Sequence, residues 1–439
     1  MPVSDLWSNE FVSSSVNYVK TAPLIWGISW DGAVPRYENE DRLFSLGSVK
    51  KMITSATALR ELGSEFKFSN EFTGDLDANQ QIVFSPAFSV SGDPTWAHPS
   101  FGETLTSRIE NVITELKKLG IKKISGDIQI NSLSPKVAEF HRPAEWKESW
   151  LLECYAALPT LVTLDGNCAA LSIHSLKSVT WSTPGVSTPI VNQLIAAEKN
   201  SIEVVPSLDA SGKVAKYTIK GGFAAATSVA VPVHSNEGWL KNLFVQQLKK
   251  SGISYEKTSP KQAVPGVVSP FYVDLSSKTL KEILPAFLQE SINLVGDRLH
   301  IEASDDLVTL ASLISDPQEY ANLVFVDGSG LIAEDKISPK TFLHFLNALK
   351  TQPYFQDLYD GLPVSGGNGT LQYRLTGALT KGRIHAKTGT IDSVANLAGY
   401  WVKADQSLES FVVFSESNLP ASTVRAQIDS AITGFARKN

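Results

Sequence analysis

A serine and a lysine lie three residues apart in the segment Ser48-Val49-Lys50-Lys51, at the start of a predicted helix. Residues at this spacing share one face of a helix, so the Ser48 hydroxyl and the Lys51 amine would be neighbours. A serine hydroxyl needs a base to become a nucleophile, and burial lowers the pKa of a lysine toward that role. The spacing alone is weak evidence, because a capped helix with a solvated lysine gives the same tetrapeptide.

Two later segments carry groups that complement such a pair. Ser291-Ile292-Asn293, in a predicted helix or its adjoining turn, offers a hydroxyl together with an amide that both donates and accepts hydrogen bonds. A short predicted strand ends in a cation, hydroxyls and a glycine that permits close backbone approach: Lys387, Thr388, Gly389 and Thr390. The edge of such a strand can bind an extended peptide and hold its terminal carboxylate.

The three segments, in this order, resemble the S-x-x-K, S-D-N and K-T-G signature of penicillin-binding proteins and class A β-lactamases. The chain resembles in particular the low-molecular-mass class C penicillin-binding proteins, the D-Ala-D-Ala carboxypeptidase/endopeptidase family. The wide interval between Ser48 and Ser291 is similar to that of this family, whose catalytic domain carries a large insert. Further segments that carry the resemblance are 92–95, 126–127, 327–331, 362–367, 371–374 and 396–400.

The resemblance implies an α/β (α+β) fold of the penicillin-binding/β-lactamase type, an antiparallel sheet flanked by helices, with a large β-rich insert. Residue periodicity predicts helices at 48–62, 105–119, 280–299, 307–313, 339–349 and 421–436. It predicts strands at 24–30, 385–388, 395–402 and 411–415. We expect 1–68 and 270–439 to form the peptidase domain, and 69–269 to form the insert of one or two subdomains.

The resemblance also implies a role for each residue of the site. Ser48 would form an acyl-enzyme with D-alanyl-D-alanine peptides, Lys51 would take its proton and Ser291 would relay that proton. Asn293 would bind the substrate backbone. Lys387 and Thr388 would bind the carboxylate of the departing residue. Gly389 would permit close approach of the substrate to the strand, and the backbone N–H groups of Ser48 and Thr390 would bind the oxyanion. The chemistry requires no metal and no organic cofactor, and β-lactams would acylate Ser48 as inhibitors.

The second motif departs from the signature, because Ile292 stands where the signature has aspartate. We expect altered local packing rather than lost activity, since the flanking residues carry the chemical roles. Two alternatives remain open: a catalytically weak homologue that binds the cell wall, and a β-lactamase or esterase on the same fold. The motif Asp327-Gly328-Ser329-Gly330 is interpreted as a structural turn rather than a second serine site.

Composition excludes some partners of the protein and bounds its location. The 439 residues have a net charge of −6 and no basic cluster, which excludes a nucleic-acid-binding surface. No apolar run reaches the length of a transmembrane helix, and the first residues lack the pattern of an export signal. The resemblance implies a periplasmic or otherwise extracytoplasmic protein whose export signal has been removed, acting on peptidoglycan peptides.

The chain contains two cysteines, Cys154 and Cys168, too few for a metal site built on thiolates. Family relatives carry a similar pair in the insert, so the resemblance implies a disulfide in an oxidising compartment. Two buried free thiols remain the alternative.

Overall fold

The computed structural model describes residues 24–30, 36–77, 79–138, 142–209, 214–234, 236–257, 269–303, 305–391 and 394–437. These residues form two compact units. The first unit consists of residues 67–278, and the second consists of residues 24–66 and 279–437. Each unit has a hydrophobic core of its own.

The strands, in chain order, are β1 (Ile25–Trp30), β2 (Arg36–Glu38), β3 (Phe44–Ser45), β4 (Glu71–Leu76), β5 (Ile82–Val90), β6 (Lys123–Ser125), β7 (Gln129–Ser132), β8 (Cys168–Ser175), β9 (Ser178–Trp181), β10 (Ile190–Ala196), β11 (Ser201–Leu208), β12 (Val214–Phe223), β13 (Thr227–Pro232), β14 (Ser254–Glu256), β15 (Ser269–Asp274), β16 (Lys336–Ile337), β17 (Ile384–Ile391), β18 (Val394–Val402) and β19 (Leu408–Glu416). The α-helices are α1 (Lys50–Leu62), α2 (Ser107–Lys118), α3 (Pro135–Ala138), α4 (Asn236–Lys250), α5 (Leu280–Glu290), α6 (Asn293–Ala303), α7 (Asp306–Leu313), α8 (Pro339–Leu349), α9 (Phe355–Gly361) and α10 (Ala421–Ala436).

The second unit is built on an antiparallel sheet in the order β17-β18-β19-β1-β2. Side chains alternate between the two faces of such a sheet. Leu397, Trp401 and Phe411 lie on the face that packs against α10, whereas Tyr400 and Phe414 contact α8 on the opposite face. The helix α10 contributes one apolar stripe to this core, made of Val424, Ile428, Ile432 and Phe435. The sheet is therefore covered by a helix on each face.

The helix α1 is buried along most of its length, although many of its residues are polar. Every side chain in 50–59 is buried. Hydroxyl groups donate hydrogen bonds to backbone carbonyl oxygens of the same helix: Ser55 donates to the carbonyl oxygen of Lys51 at 2.7 Å, and Thr57 donates to that of Ile53 at 3.0 Å. Because buried polar groups without partners are costly, these bonds allow a polar helix to occupy the interior.

The first residue of α1 forms a buried ion pair. Lys50 Nζ lies 2.5 Å from the carboxylate of Asp306 and 3.1 Å from the hydroxyl of Thr54, and it stands over the ring of Phe325. The His300 ring nitrogen lies 2.9 Å from the same carboxylate. Burial favours the neutral form of Asp306, but the charge of Lys50 outweighs it and holds the pKa of Asp306 well below its usual range. The pair joins the start of α1 to α7.

The helix predicted over 280–299 is interrupted, and that prediction is wrong at this point. The structure has two helices, α5 and α6, with Ser291 and Ile292 between them. Ser291 adopts a left-handed conformation with φ 59°, and the Ile292 N–H donates to the carbonyl of Phe287 at 3.1 Å. These features end α5 in the manner of a helix C-cap. The interruption places Ser291 and Ile292 in a turn and Asn293 at the start of α6.

The first unit is rich in strands. Its largest sheet has the order β14-β6-β5-β4-β15, with β7 paired to β5, and it shares a core with α2 and α4. Two three-stranded sheets follow, β13-β8-β9 and β10-β12-β11. The sulfur atoms of Cys154 and Cys168 are bonded in this unit, and their Cα atoms lie 5.5 Å apart, a normal separation for a disulfide.

Within the described part of the chain, no helix combines the length and the apolarity needed to cross a lipid bilayer.

The buried ion pair gives the first prediction. Replacing Asp306→Asn leaves the ammonium of Lys50 buried without its counter-charge, so the free energy of unfolding should fall by about 3–5 kcal/mol. Asp41→Asn is the matched control, because this carboxylate is 79% exposed and faces Lys340 at 3.4 Å; its effect should stay below about 0.5 kcal/mol. Urea unfolding measures both. Equal stability of the two variants would contradict the assigned role of the pair.

Candidate active site

Ser48 lies in a single 3-10 turn, Gly47–Val49, that leads directly into α1. We call this segment the Ser48 turn. The amide of Asn396 on β18 donates to the carbonyl oxygens of Ser45 at 2.8 Å and Leu46 at 3.0 Å, which ties the segment before the turn to the sheet. The Ser48 side chain is half-buried, so it is both positioned and accessible.

Lys51 brings its amine to the Ser48 hydroxyl. Lys51 Nζ lies 2.9 Å from Ser48 Oγ, 2.6 Å from Asn293 Oδ1 and 2.7 Å from the carbonyl oxygen of Ser329. The side chain is completely buried. Burial lowers the pKa of Lys51 to about 7, while the nearby carboxylate of Asp297 opposes that shift. A substantial fraction of the amine is therefore neutral near pH 7.

The three oxygens around Lys51 Nζ suit a neutral amine that acts as a base. A neutral amine has two N–H bonds and one lone pair. The side-chain oxygen of Asn293 and the carbonyl oxygen of Ser329 can only accept hydrogen bonds. Each therefore accepts one of the two N–H groups of the amine. The lone pair then faces the third neighbour, the hydroxyl of Ser48. This geometry can withdraw the proton from the serine.

Ser291 meets a second lysine rather than the first. Its Oγ lies 2.8 Å from Lys387 Nζ, which also donates to the carbonyl of Thr388 at 3.1 Å. Lys387 is completely buried. Burial holds the pKa of Lys387 well below its usual value, and the charge of nearby Lys51 lowers it further. The site thus contains two hydroxyl–amine pairs.

The strand β17 runs against the Ser48 turn. A Cβ atom at Gly389 would lie 2.4 Å from the carbonyl oxygen of Leu46, so only glycine allows this approach. A Cβ at Gly47 would lie 3.2 Å from the amide nitrogen of Thr390. The backbone N–H groups of Ser48 and Thr390 therefore belong to adjacent segments.

A pocket of about 800 Å³ opens in front of Ser48. Its walls come from the Ser48 turn, the turn after α5, β17, the segment after α9 and one face of α10: Ser48, Ser291, Gly369, Thr370, Gln372, Tyr373, Arg374, Thr388, Thr390, Ser422, Arg425, Ala426 and Asp429. The hydroxyls of Thr388 and Thr370 lie 2.9 Å apart in this wall. A small peptide can reach the nucleophile by this route.

The motif that begins at Asp327 forms a turn that supports the site. The Asp327 carboxylate accepts hydrogen bonds from the N–H groups of Ser329 at 3.0 Å, Gly330 at 2.5 Å and Ile332 at 3.1 Å. Gly330 has φ +77°, and a Cβ there would lie 2.0 Å from the carbonyl oxygen of Gly47. The carbonyl oxygen of Ser329 accepts the hydrogen bond from Lys51. The side chain of Ser329 is buried.

Several contacts of the site were not predicted from the sequence. The structure brings the serine, lysine and asparagine side chains of the three motifs together in two groups: Ser48, Lys51 and Asn293 in one, Ser291 and Lys387 in the other. The sequence did not predict the contact between Ser291 and Lys387, nor the position of Arg425 in the pocket wall. The 327–330 motif was the available signal for the carbonyl that binds Lys51.

Comparisons with known proteins identify the family to which the chain is similar. The model of the D-Ala-D-Ala carboxypeptidase 3 (S13) family matches residues 31–438. The chain is 25% identical to the D-alanyl-D-alanine carboxypeptidase DacB of Haemophilus influenzae, over 97% of this chain and 91% of that protein.

Two solved structures resemble the chain in fold. Penicillin-binding protein 4 of Haemophilus influenzae has a TM-score of 0.71 at 22% identity, with 90% of this chain and 91% of that chain covered. A predatory peptidoglycan endopeptidase of Bdellovibrio bacteriovorus has a TM-score of 0.53 at 15% identity, with 96% and 94% covered. These likenesses confirm the predicted α+β fold class.

The close approach of Gly330 to the Ser48 turn gives the second prediction. Gly330→Ala adds a clash with the backbone of Gly47 to the strain of a positive φ, so the free energy of unfolding should fall by about 2–5 kcal/mol. Gly382→Ala is the control: its φ is +70°, but a Cβ there meets nothing within 4 Å, and it should cost only about 1–2 kcal/mol. Urea unfolding of both variants distinguishes clash from strain. An equal loss in the two would exclude the clash.

Proposed function

We infer the chemistry of Ser48 from the family of the protein: the chain belongs to the D-Ala-D-Ala carboxypeptidase 3 (S13) family and is a serine-type hydrolase. We propose that Ser48 attacks the carbonyl carbon of a D-alanine residue and forms an acyl-enzyme. The observation that carries this role is the 2.9 Å contact between Ser48 Oγ and a buried amine whose other two neighbours are acceptors. The substrates would be peptidoglycan stem peptides or crosslinks.

In the acylation step, neutral Lys51 takes the proton of Ser48 as the oxygen bonds to the substrate carbonyl carbon. The backbone N–H groups of Ser48 and Thr390 would stabilise the oxyanion that forms. The C–N bond then breaks, and the leaving amine must gain a proton. The hydroxyl of Ser291, 2.8 Å from Lys387, would donate its proton to this amine and be reprotonated with the proton that Lys51 took from Ser48. Water would later hydrolyse the ester and return Ser48 to its free form.

The strand β17 would bind the substrate in an extended form. β17 is the first strand in the sheet order. On its outer side, among the described residues, the only pairing is the isolated bridge between Val364 and His385, which precedes Lys387 in the chain. Edge strands of this kind add a peptide as a further strand. Asn293 and the hydroxyl of Thr388 would supply side-chain hydrogen bonds to the bound peptide.

The altered second motif is compatible with an active enzyme. Although Ile292 replaces the aspartate of the signature, Ser291 and Asn293 on either side still meet the amines of Lys387 and Lys51. This geometry favours a hydrolase over a wall-binding homologue without turnover.

We propose an extracytoplasmic location for the protein. The bonded pair Cys154 and Cys168 supports this location, because disulfides persist mainly in oxidising compartments. The proposal also includes covalent inhibition of Ser48 by β-lactams, since a β-lactam carbonyl would enter the same geometry.

The pKa of Lys51 gives the third prediction. The second-order rate of acylation by a fluorescent penicillin should rise about tenfold per pH unit below pH 7 and level off above it, because only the neutral amine accepts the proton. Labelling should disappear in Ser48→Ala and fall by about 10²–10⁴-fold in Lys51→Ala. Lys381→Ala, an exposed lysine, is the control and should label normally. A pH-independent rate between pH 5 and 8 would refute Lys51 as the base.

The fourth prediction identifies the reaction. Incubation of the protein with purified sacculi should release D-alanine, convert crosslinked muropeptides to monomers, or do both, as read by chromatography with mass detection. Ser48→Ala should give neither product. A protein that binds penicillin covalently but yields neither product would be the catalytically weak homologue. Repeated turnover of nitrocefin would indicate a β-lactamase.

A further inference from the structure

The helix α10 serves two surfaces of the second unit. Its apolar stripe packs into the core of the sheet. Four other residues, spaced one helical turn apart on a different face, line the pocket in front of Ser48: Ser422, Arg425, Ala426 and Asp429. The sequence of α10 contains no motif of the signature, yet the helix forms part of the same pocket wall as the nucleophile.

Arg425 has no counter-charge in this wall. The carboxylate of Asp429 is engaged by Arg374, whose Nε and Nη2 donate to its two oxygens at 3.1 and 2.7 Å. Within the part of the chain that the structure describes, no oxygen accepts a hydrogen bond from Arg425. The pocket lining thus contains two arginines and one carboxylate, which leaves one positive charge uncompensated.

An unpaired guanidinium at this place favours an anionic ligand. Arg425 is half-buried, so part of its hydration is already lost. A guanidinium stays protonated at all accessible pH values, and its fork of donors matches a carboxylate. A carboxylate that enters the pocket would supply the missing hydrogen bonds and the missing charge.

Lys387, the other cation near Ser48, has hydrogen-bond partners of its own and does not line the pocket. Lys387 Nζ donates to Ser291 Oγ and to the carbonyl of Thr388, and Lys387 is not among the residues that line the pocket. Along β17 the side chains alternate, so Thr388 and Thr390 lie on the opposite face from Lys387. They are paired with Leu397 and Ala395, which face α10. The hydroxyls of β17 and the guanidinium of α10 therefore share one side of the sheet.

We propose that Arg425 binds the carboxylate of the leaving residue, beside the hydroxyls of Thr388 and Thr390, and thereby selects substrates that carry this carboxylate. The inference rests on the proposed function and adds a specificity-determining residue to it. The carboxylate has two possible sources with the same chemistry: the free terminus of a D-Ala-D-Ala peptide, and the carboxylate beside the scissile bond of a crosslinking diamino acid.

The test compares two peptides that differ in one charge: a diacetylated L-Lys-D-Ala-D-Ala with a free carboxylate, and the same peptide with a C-terminal amide. For Arg425→Gln, kcat/KM for the acid should fall by about 10- to 100-fold, the loss of one or two charged hydrogen bonds, while kcat/KM for the amide stays within about twofold. Arg425→Lys should recover part of the preference for the acid. Arg437→Gln removes an exposed arginine of the same segment and should change neither value.

The outcomes separate the inference from the proposed function. If the wild type prefers the acid and Arg425→Gln abolishes that preference, the inference holds. If Arg425→Gln lowers both peptide rates equally, or changes neither of them and leaves crosslink cleavage unchanged as well, Arg425 has no role in carboxylate selection. If the wild type hydrolyses neither peptide and is not acylated by a penicillin, the proposed function fails, and the role of Arg425 fails with it.

A second arm uses crosslinked dimeric muropeptides. A fall in crosslink cleavage by Arg425→Gln, with release of terminal D-alanine unchanged, assigns the carboxylate to the crosslinking residue. The reverse result assigns it to the terminal D-alanine.

Discussion

The removal of Lys51 from water is the constraint on which the site depends. An isolated ammonium costs several kcal/mol to bury, so the group must find oxygen partners or lose its proton. Both responses are present: the amine contacts three oxygens, and its pKa falls to about 7. The same burial that makes the group expensive makes it a base at neutral pH. The three oxygens come from the Ser48 turn, the start of α6 and the turn at 327–332.

Two buried lysines lie in one site, and their surroundings give them different chemistry. Asp297 and Asp327 lie close enough to Lys51 to raise its pKa against the effect of burial, whereas no carboxylate among the described residues raises the pKa of Lys387. Asp297 itself has a pKa raised to about 8 by burial and by the charge of Asp327. Lys51 can therefore gain and lose a proton near neutrality, as a base that later returns its proton requires.

The sequence predicted what depends on local pattern and missed what depends on distant contacts. The bounds of α8 and α10 followed from periodicity, because their apolar stripes are regular. The turn at Ser291 was hidden inside an apolar helical pattern, since a left-handed residue leaves no periodic signal. The partner of Ser291 could not be inferred, because Lys387 lies 96 residues away and only strand pairing decides which face it occupies. Arg425 lies outside every segment of the signature, so nothing in the sequence singled it out.

Three glycines explain how distant segments converge around Ser48. Gly389 brings β17 against Leu46, Gly330 brings the 327–332 turn against Gly47, and Gly47 itself lies beside the amide of Thr390. At each point a side chain would meet another backbone. The Ser48 turn is therefore held between two backbone segments rather than by side chains alone. Backbone contacts of this kind tolerate little movement, so the N–H groups of Ser48 and Thr390, which we propose as donors to the oxyanion, would be in place before the substrate arrives. This is the condition for electrostatic stabilisation of a transition state.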